Sequence, residues 1–158
     1  LYSNAKTMGA DLDGIGQQSP SFFVWAVRDA FTAPLQRVQI IKGFVDPNGN
    51  PQEQVFDVAC SDGGMPDAET YRCPDNNAKV DISSCAFSQD VGAAELKTFW
   101  TDPTFEVDQR AFYYVRALEN PTCRWSTWDA LRNNVEPRSD ITKTIQERVW
   151  SSPIHYIP

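Results

Sequence analysis

The chain has 158 residues, of which 41% are hydrophobic and 12% aromatic. A domain of this size buries about 70% of the surface that its unfolded chain exposes, so the composition supports a packed core. The formal net charge of −7 argues against nucleic acid, whose phosphates require clustered Lys and Arg, and against an anionic membrane surface. No stretch approaches the roughly 18 apolar residues of a membrane span. Because the chain begins at Leu1 and not Met, we interpret it as a processed or excised piece of a longer protein.

Short runs rich in β-branched and aromatic residues, each closed by turn residues, predict seven strands. In chain order they cover residues 21–28, 35–45, 54–60, 94–100, 110–118, 146–151 and 154–157. A Pro-Asn-Gly turn within residues 46–51 predicts a hairpin between the second and third strands. A short helix is predicted near residues 126–133, with Ser126 or Thr127 as its N-cap and Asn133 or Asn134 at its end.

This pattern predicts an all-β fold, an antiparallel β-sandwich of about six to seven strands with one short helix and long disulfide-tied loops. A closed barrel is the alternative fold. Residues 1–20 are interpreted as an extended N-terminal segment, and residues 21–158 as a single sandwich-like domain.

Four cysteines, Cys60, Cys73, Cys85 and Cys123, favour disulfides, because the polar stretch that holds three of them lacks the apolar pattern to keep itself in place. Zinc sites prefer closely paired cysteines with additional histidines, whereas this chain has one histidine, His155; free thiols are the remaining alternative. In an up-and-down succession the third and fifth strands run in the same direction, which would bring Cys60 and Cys123 to one pole. We therefore expect the pairing Cys60–Cys123 with Cys73–Cys85, and a periplasmic or extracellular location.

Two sets of polar residues are candidates for chemistry. The loop acids and amides offer oxygen ligands of the kind that calcium takes, and the turn at residues 46–50 resembles half of a calcium loop; the loop residues are Asp62, Asp67, Asp75, Asn76, Asn77 and Asp81. Because turns use the same residue types for backbone reasons, we favour a structural role for them. We also favour a structural or surface role for His155, since a catalytic or metal-bound histidine needs partners.

Aromatic residues form a third candidate set, which could stack on sugar rings or pack the core: Trp25, Trp100, Trp125, Trp128, Trp150, Tyr113 and Tyr114. Packing in the core or at a domain interface is favoured for most of them. Trp125 and Trp128 are expected to be partly exposed and are the candidate ligand-facing aromatics. No G-x-S-x-G motif is present, and the residues assign no catalytic, cofactor-binding or metal site.

Several strings together resemble the C-terminal part of the bacterial domain-of-unknown-function family 3604, and they span nearly the whole chain. They are residues 8–12, 35–43, 58–63, 73–76, 93–98, 100–103, 111–116, 119–127 and 147–154. The resemblance implies a longer, exported parent whose N-terminal part is similar to metal-dependent hydrolases of the polymerase-and-histidinol-phosphatase type and uses a divalent metal. The corresponding His- and Asp-rich motifs are absent from this chain, so no ligand is carried over, and His155 stands where the family usually has an aromatic residue.

The resemblance favours a non-catalytic C-terminal β-domain whose partner is the N-terminal domain of the same protein. Two alternatives stay open: a binding module for carbohydrate or another polymer, and a contribution to a hydrolase active site shared with the N-terminal domain. Neither a small-molecule nor a polymer ligand is identified by the sequence.

Overall fold

A computed structural model describes residues 5–13 and 18–158, so the predicted N-terminal segment is seen only in part. Over this part of the chain the fold is mostly β with one short helix, as predicted. The elements are β1 Asp11–Leu12, β2 Ser21–Val27, β3 Leu35–Val45, β4 Pro51–Cys60, β5 Glu95–Thr101, β6 Ala111–Glu119, β7 Thr122–Cys123, α1 Trp125–Arg132, β8 Thr144–Ile145, β9 Arg148–Trp150 and β10 Ile154–Tyr156. Three two-residue strands, β1, β7 and β8, were not predicted.

The larger layer is a six-stranded sheet in the order β1-β10-β6-β3-β4, with β9 pairing beside β10 along the same strand β6. Its pairs are antiparallel except for β1 and β10, which run parallel. The turn between β3 and β4 forms as its sequence predicts. The Asp46 carboxylate accepts the backbone N–H groups of Asn48 and Asn50 at 2.9 and 2.8 Å, and Gly49 supplies the positive φ of 84°.

The second layer is a two-stranded antiparallel ribbon, β2 with β5, which we call the ribbon. One face of the ribbon packs on the six-stranded sheet, where the Phe22 ring lies 4.9 Å from Tyr113 and the Trp100 ring 5.0 Å from Phe56. Val24 and Leu96 complete this contact and are buried. The molecule is therefore a sandwich in which one layer is only two strands wide.

A buried ion pair lies inside the sandwich. Lys42 Nζ is 2.8 Å from Asp102 Oδ2, and both side chains are at most 1% exposed. Tyr113 donates its hydroxyl to the same carboxylate oxygen at 2.7 Å, and the Lys42 ammonium also donates to the Thr104 carbonyl at 2.7 Å. Burial alone would raise the pKa of Asp102, but hydrogen bonds from Lys42, Tyr113 and Thr104 outweigh it, and the pKa lies below its ordinary value. Burial and the neighbouring carboxylate raise the pKa of Tyr113.

The four cysteines form two disulfides, but the predicted pairing is wrong. Cys60 bonds to Cys73 and Cys85 to Cys123, with Cα–Cα distances of 5.6 and 5.5 Å. Strands β4 and β6 do run in the same direction, and Cys60 and Leu118 lie at the same end of β3. However, β3 lies between them, and two strand spacings of about 4.8 Å exceed the reach of a disulfide. Two disulfides are typical of an oxidising environment outside the cytoplasm.

Helix α1 occupies the predicted place but begins one residue early. Arg124 is its N-cap and makes no side-chain capping bond, so neither Ser126 nor Thr127 has that role. Thr127 is buried and donates its hydroxyl to the Lys143 carbonyl at 2.8 Å. Asn133 is the C-cap, which confirms one of the two helix ends predicted from the sequence. Within residues 5–13 and 18–158, no helix has the length and apolar character needed to span a membrane.

Candidate docking surface

The outer face of the ribbon is an exposed apolar surface. Alternate residues of β2 point away from the core and keep much of their area in solvent, with Phe23 at 55%, Trp25 at 60% and Val27 at 64% exposure. Phe99 of β5 joins them at 77% exposure. These four side chains, which we call the apolar patch, lie on one face because antiparallel partners share a face.

The side chains of the apolar patch are ordered by contacts with one another and with neighbouring residues of β5. Phe23 and Phe99 are direct cross-strand partners with ring centroids 4.7 Å apart. Trp25 is opposite Lys97, whose ammonium lies 5.9 Å from the indole centroid, and Trp25 Nε1 donates to Glu95 at 3.0 Å. Hydrogen bonds from Lys97 and then Trp25 hold the pKa of Glu95 below its ordinary value. The patch thus presents aromatic faces with an ion pair at one margin.

Trp125 and Trp128 lie on α1, away from the ribbon. Trp125 is 73% exposed and Trp128 is 38% exposed, which confirms the expectation that both are partly exposed. The guanidinium carbon of Arg132 lies 5.5 Å from the Trp128 ring centroid and covers part of it. That either side chain faces a ligand stays a prediction.

Two further tryptophans are exposed that sequence reasoning did not single out. Trp25 and Trp150 are 60% and 55% exposed, whereas Trp100 and Tyr113 pack in the core as predicted. A signal for Trp25 was available in the sequence. The β2 run SFFVWAV is apolar at both odd and even positions, so a strand with only one buried face must expose half of it.

Asp67 and Asp81 accept hydrogen bonds within their own turns. Asp67 accepts the backbone N–H of Thr70 at 2.7 Å, and Asp81 accepts the hydroxyls of Ser83 and Ser84 at 2.7 Å each. These hydrogen bonds lower the pKa of both carboxyls. Asp62 accepts the backbone N–H of Gly92 at 2.9 Å and so ties two loops together. In the part of the chain that the structure describes, no three His, Cys, Asp or Glu residues are grouped to hold a metal ion.

His155 lies on β10, directly opposite Phe112 of β6 and in register with Asp11 of β1. Its ring centroid is 6.2 Å from that of Phe112, and its backbone N–H donates to the Ala10 carbonyl at 3.2 Å. The histidine is exposed on the sheet face opposite the ribbon. The structure therefore places it apart from the apolar patch.

A family model described as "Protein of unknown function (DUF3604)" matches residues 1–158. No curated protein and no solved structure matches the chain.

Proposed function

The chain belongs to the DUF3604 family of proteins of unknown function, and we propose that it is a non-catalytic β-domain of a longer, exported protein. It docks on the catalytic domain of that protein through the apolar patch. The observation that carries this proposal is the exposure of Phe23, Trp25, Val27 and Phe99 on one face of the ribbon.

The outer face of the ribbon is more apolar than the solvent-facing side of an antiparallel sheet usually is. An antiparallel sheet that faces water on one side alternates apolar and polar residues, and contiguous exposed apolar surface marks an interaction site. Here the ribbon already buries its inner face through Phe22, Val24 and Leu96, so stability of the domain does not require apolar residues outside. An apolar centre with the Glu95–Lys97 ion pair at its margin is also the usual anatomy of a protein interface.

The nature of the partner is supported by two further features. The resemblance noted from the sequence implies a longer parent with its chemistry in an N-terminal part, and the described residues here hold no grouped metal ligands. The two disulfides support an exported parent, in the periplasm or outside the cell. A partner within the same protein also needs little intrinsic affinity, because the linkage raises the effective concentration.

Hydroxyl-radical footprinting of the 158-residue chain and of the full-length protein tests the proposal. We expect oxidation of Trp25 and Phe99 to fall severalfold in the full-length protein, because docking removes them from solvent. Trp125, which is 73% exposed, serves as the internal control and should be oxidised to the same extent in both.

A pair of charge substitutions gives an independent measurement. Phe99→Lys should lower the melting temperature of the full-length protein while leaving that of the isolated chain nearly unchanged, since its side chain is already 77% exposed there. Trp125→Lys is the matched control and should be neutral in both. Equal oxidation of the ribbon in the two forms, with no specific effect of Phe99→Lys, would contradict docking through this face.

A carbohydrate-binding module is the second candidate, because Trp125 and Trp128 are exposed three residues apart on α1. Aromatic rings in solvent can stack on sugar rings. In that case a glycan array would show binding by the isolated chain that Trp125→Ala abolishes and Phe99→Lys leaves intact. A hydrolase active site shared with another domain is a third candidate. It would require that substitution of Trp125 or His155 changes the activity of the full-length protein.

A further inference from the structure

An open groove of about 460 Å³ runs along the outer edge of β2. Strand β2 forms one wall and β9 the other, and the apolar side chains of Leu35, Val115 and Ala117 line the space between them. The groove lies beside the ribbon. Trp25 and Val27 of the apolar patch form part of its rim, whereas Phe23 and Phe99 do not line it.

The backbone of β2 turns unpaired groups toward this groove. Arg28 N–H donates to the Ala94 carbonyl at 3.0 Å, and Asp102 N–H donates to the Pro20 carbonyl at 3.2 Å, so even-numbered residues of β2 bond to β5. In an antiparallel pair the bonding residues alternate, and the N–H and C=O groups of Phe23, Trp25 and Val27 therefore point away from β5. Across the residues that the structure describes, β5 is the one strand that pairs with β2.

The six-stranded sheet extends beneath the place where the ribbon stops. Val149 of β9 is the cross-strand partner of Ala117 and so belongs to the core-facing side of the sheet, yet it is 64% exposed. Ala117 itself is buried. Val149 is exposed and Ala117 is buried because the two-stranded ribbon covers Ala117 but does not reach the outer part of the six-stranded sheet.

We propose that this groove binds an extended polypeptide segment, which adds to β2 as a third strand of the ribbon. The segment carries apolar residues at alternate positions. Its main chain pairs with the free N–H and C=O groups of β2, and its inward side chains cover Val149 and Val115.

Two features specify a polypeptide. Free main-chain donors and acceptors that recur every second residue match another strand, and an apolar floor selects the alternate side chains. Exposed Met8 and Val27 at the rim add apolar contact for the same segment. Addition of a strand uses the main-chain edge of β2 and the floor of the groove. Docking uses the outward side chains of the apolar patch, and the two contacts share Trp25 and Val27. This inference does not depend on the proposed function.

Amide hydrogen exchange of the ¹⁵N-labelled chain, measured by NMR, tests the proposal directly. The probe is a blocked synthetic peptide of alternating Thr and Val with a Lys at each end, added up to about 1 mM. In the free chain the amides of Phe23, Trp25 and Val27 should exchange fast, and those of Val24 and Ala26 slowly. With peptide, the three fast amides should slow by about tenfold or more, which corresponds to about 1.4 kcal/mol of protection.

Matched controls separate strand addition from general apolar binding. The same peptide with alternate backbone nitrogens methylated loses the donors that β2 requires and should give no protection. Val149→Lys should weaken binding about tenfold, because it places a charge in the groove, whereas Val45→Lys changes a similarly exposed valine at the β3–β4 hairpin and should have no effect.

Several results would overturn the inference. Unchanged exchange of the three edge amides at the highest peptide concentration is one, and equal protection by the methylated peptide is another. Protection that rises with the concentration of the chain itself, without peptide, would assign the groove to a second copy. Phe99→Lys should leave peptide binding intact, so failure here and failure of docking through the apolar patch are distinguishable.

Discussion

Replacing Asp102 with Asn should destabilise the domain far more than any surface change. The Asp102 carboxylate accepts four hydrogen bonds: two from Thr104, at 2.8 and 2.9 Å, one from Tyr113 at 2.7 Å and one from Lys42 at 2.8 Å. An Asn side chain has nearly the same volume but only one oxygen, and its NH₂ group would face donors. The change also leaves the Lys42 ammonium without its counter-charge in a site that is 1% exposed.

The expected loss is about 3–5 kcal/mol in the free energy of unfolding, which is typical of removing one partner from a buried ion pair. Against a total of about 5–15 kcal/mol for a domain, that is a large fraction. Urea denaturation with the disulfides intact, followed by tryptophan fluorescence, measures it through the shift in midpoint.

The chain offers a matched control pair. Lys97 and Glu95 are 2.9 Å apart, close to the 2.8 Å of the buried pair, but their side chains are 59% and 45% exposed. Glu95→Gln should therefore leave the unfolding midpoint unchanged, because exposed ion pairs are screened by water. The two carboxylates differ in burial and in the hydrogen bonds that they accept, which number four for Asp102 and two for Glu95.

A double-mutant cycle completes the test. Lys42→Met combined with Asp102→Asn should cost less than the sum of the single changes by about 2 kcal/mol, because the second change removes a charge that the first left unpaired. The reasoning would be refuted if Asp102→Asn shifted the midpoint no more than Glu95→Gln, or if the single effects were additive.

Two further predictions concern stability. Replacing both cysteines of the Cys85–Cys123 disulfide with Ala should lower the free energy of unfolding by about 4 kcal/mol, and replacing Cys60 and Cys73 should lower it by about 3 kcal/mol. The difference is expected because the closed loops span 38 and 13 residues. Equal losses in urea denaturation would contradict the loop-entropy explanation. The folded pKa of Asp102 lies below its ordinary value of 3.8. The stabilisation from Asp102 is therefore complete above about pH 5 and is lost as the pH falls through the ordinary pKa and then through the lower folded pKa. Between pH 5 and pH 3 the wild type should therefore lose more stability than Asp102→Asn, and parallel pH profiles would exclude Asp102 as the cause.

Local signals determined most of the strands and the helix. The run at residues 35–45 has the bounds of β3, because an apolar, β-branched segment closed by turn residues has few alternatives. In β5 the alternation of Leu96 and Trp100 with Lys97 and Phe99 separated the buried from the exposed face correctly. These features depend on neighbours in sequence and on the twofold period of a strand, which a single sequence displays.

The disulfide pairing and the apolar patch were decided by the tertiary structure. The relative direction of β4 and β6 was inferred correctly. However, the order β4-β3-β6 places β3 between the strand ends that precede Cys123 and carry Cys60. No local sequence pattern indicates the order of strands across a sheet. The exposure of Trp25 likewise depends on which ribbon face meets the sheet and on where the second layer stops. The sequence alone determined an all-β, cysteine-linked chain of the DUF3604 family; which cysteines bond and which apolar residues remain outside depend on long-range packing of two unequal layers.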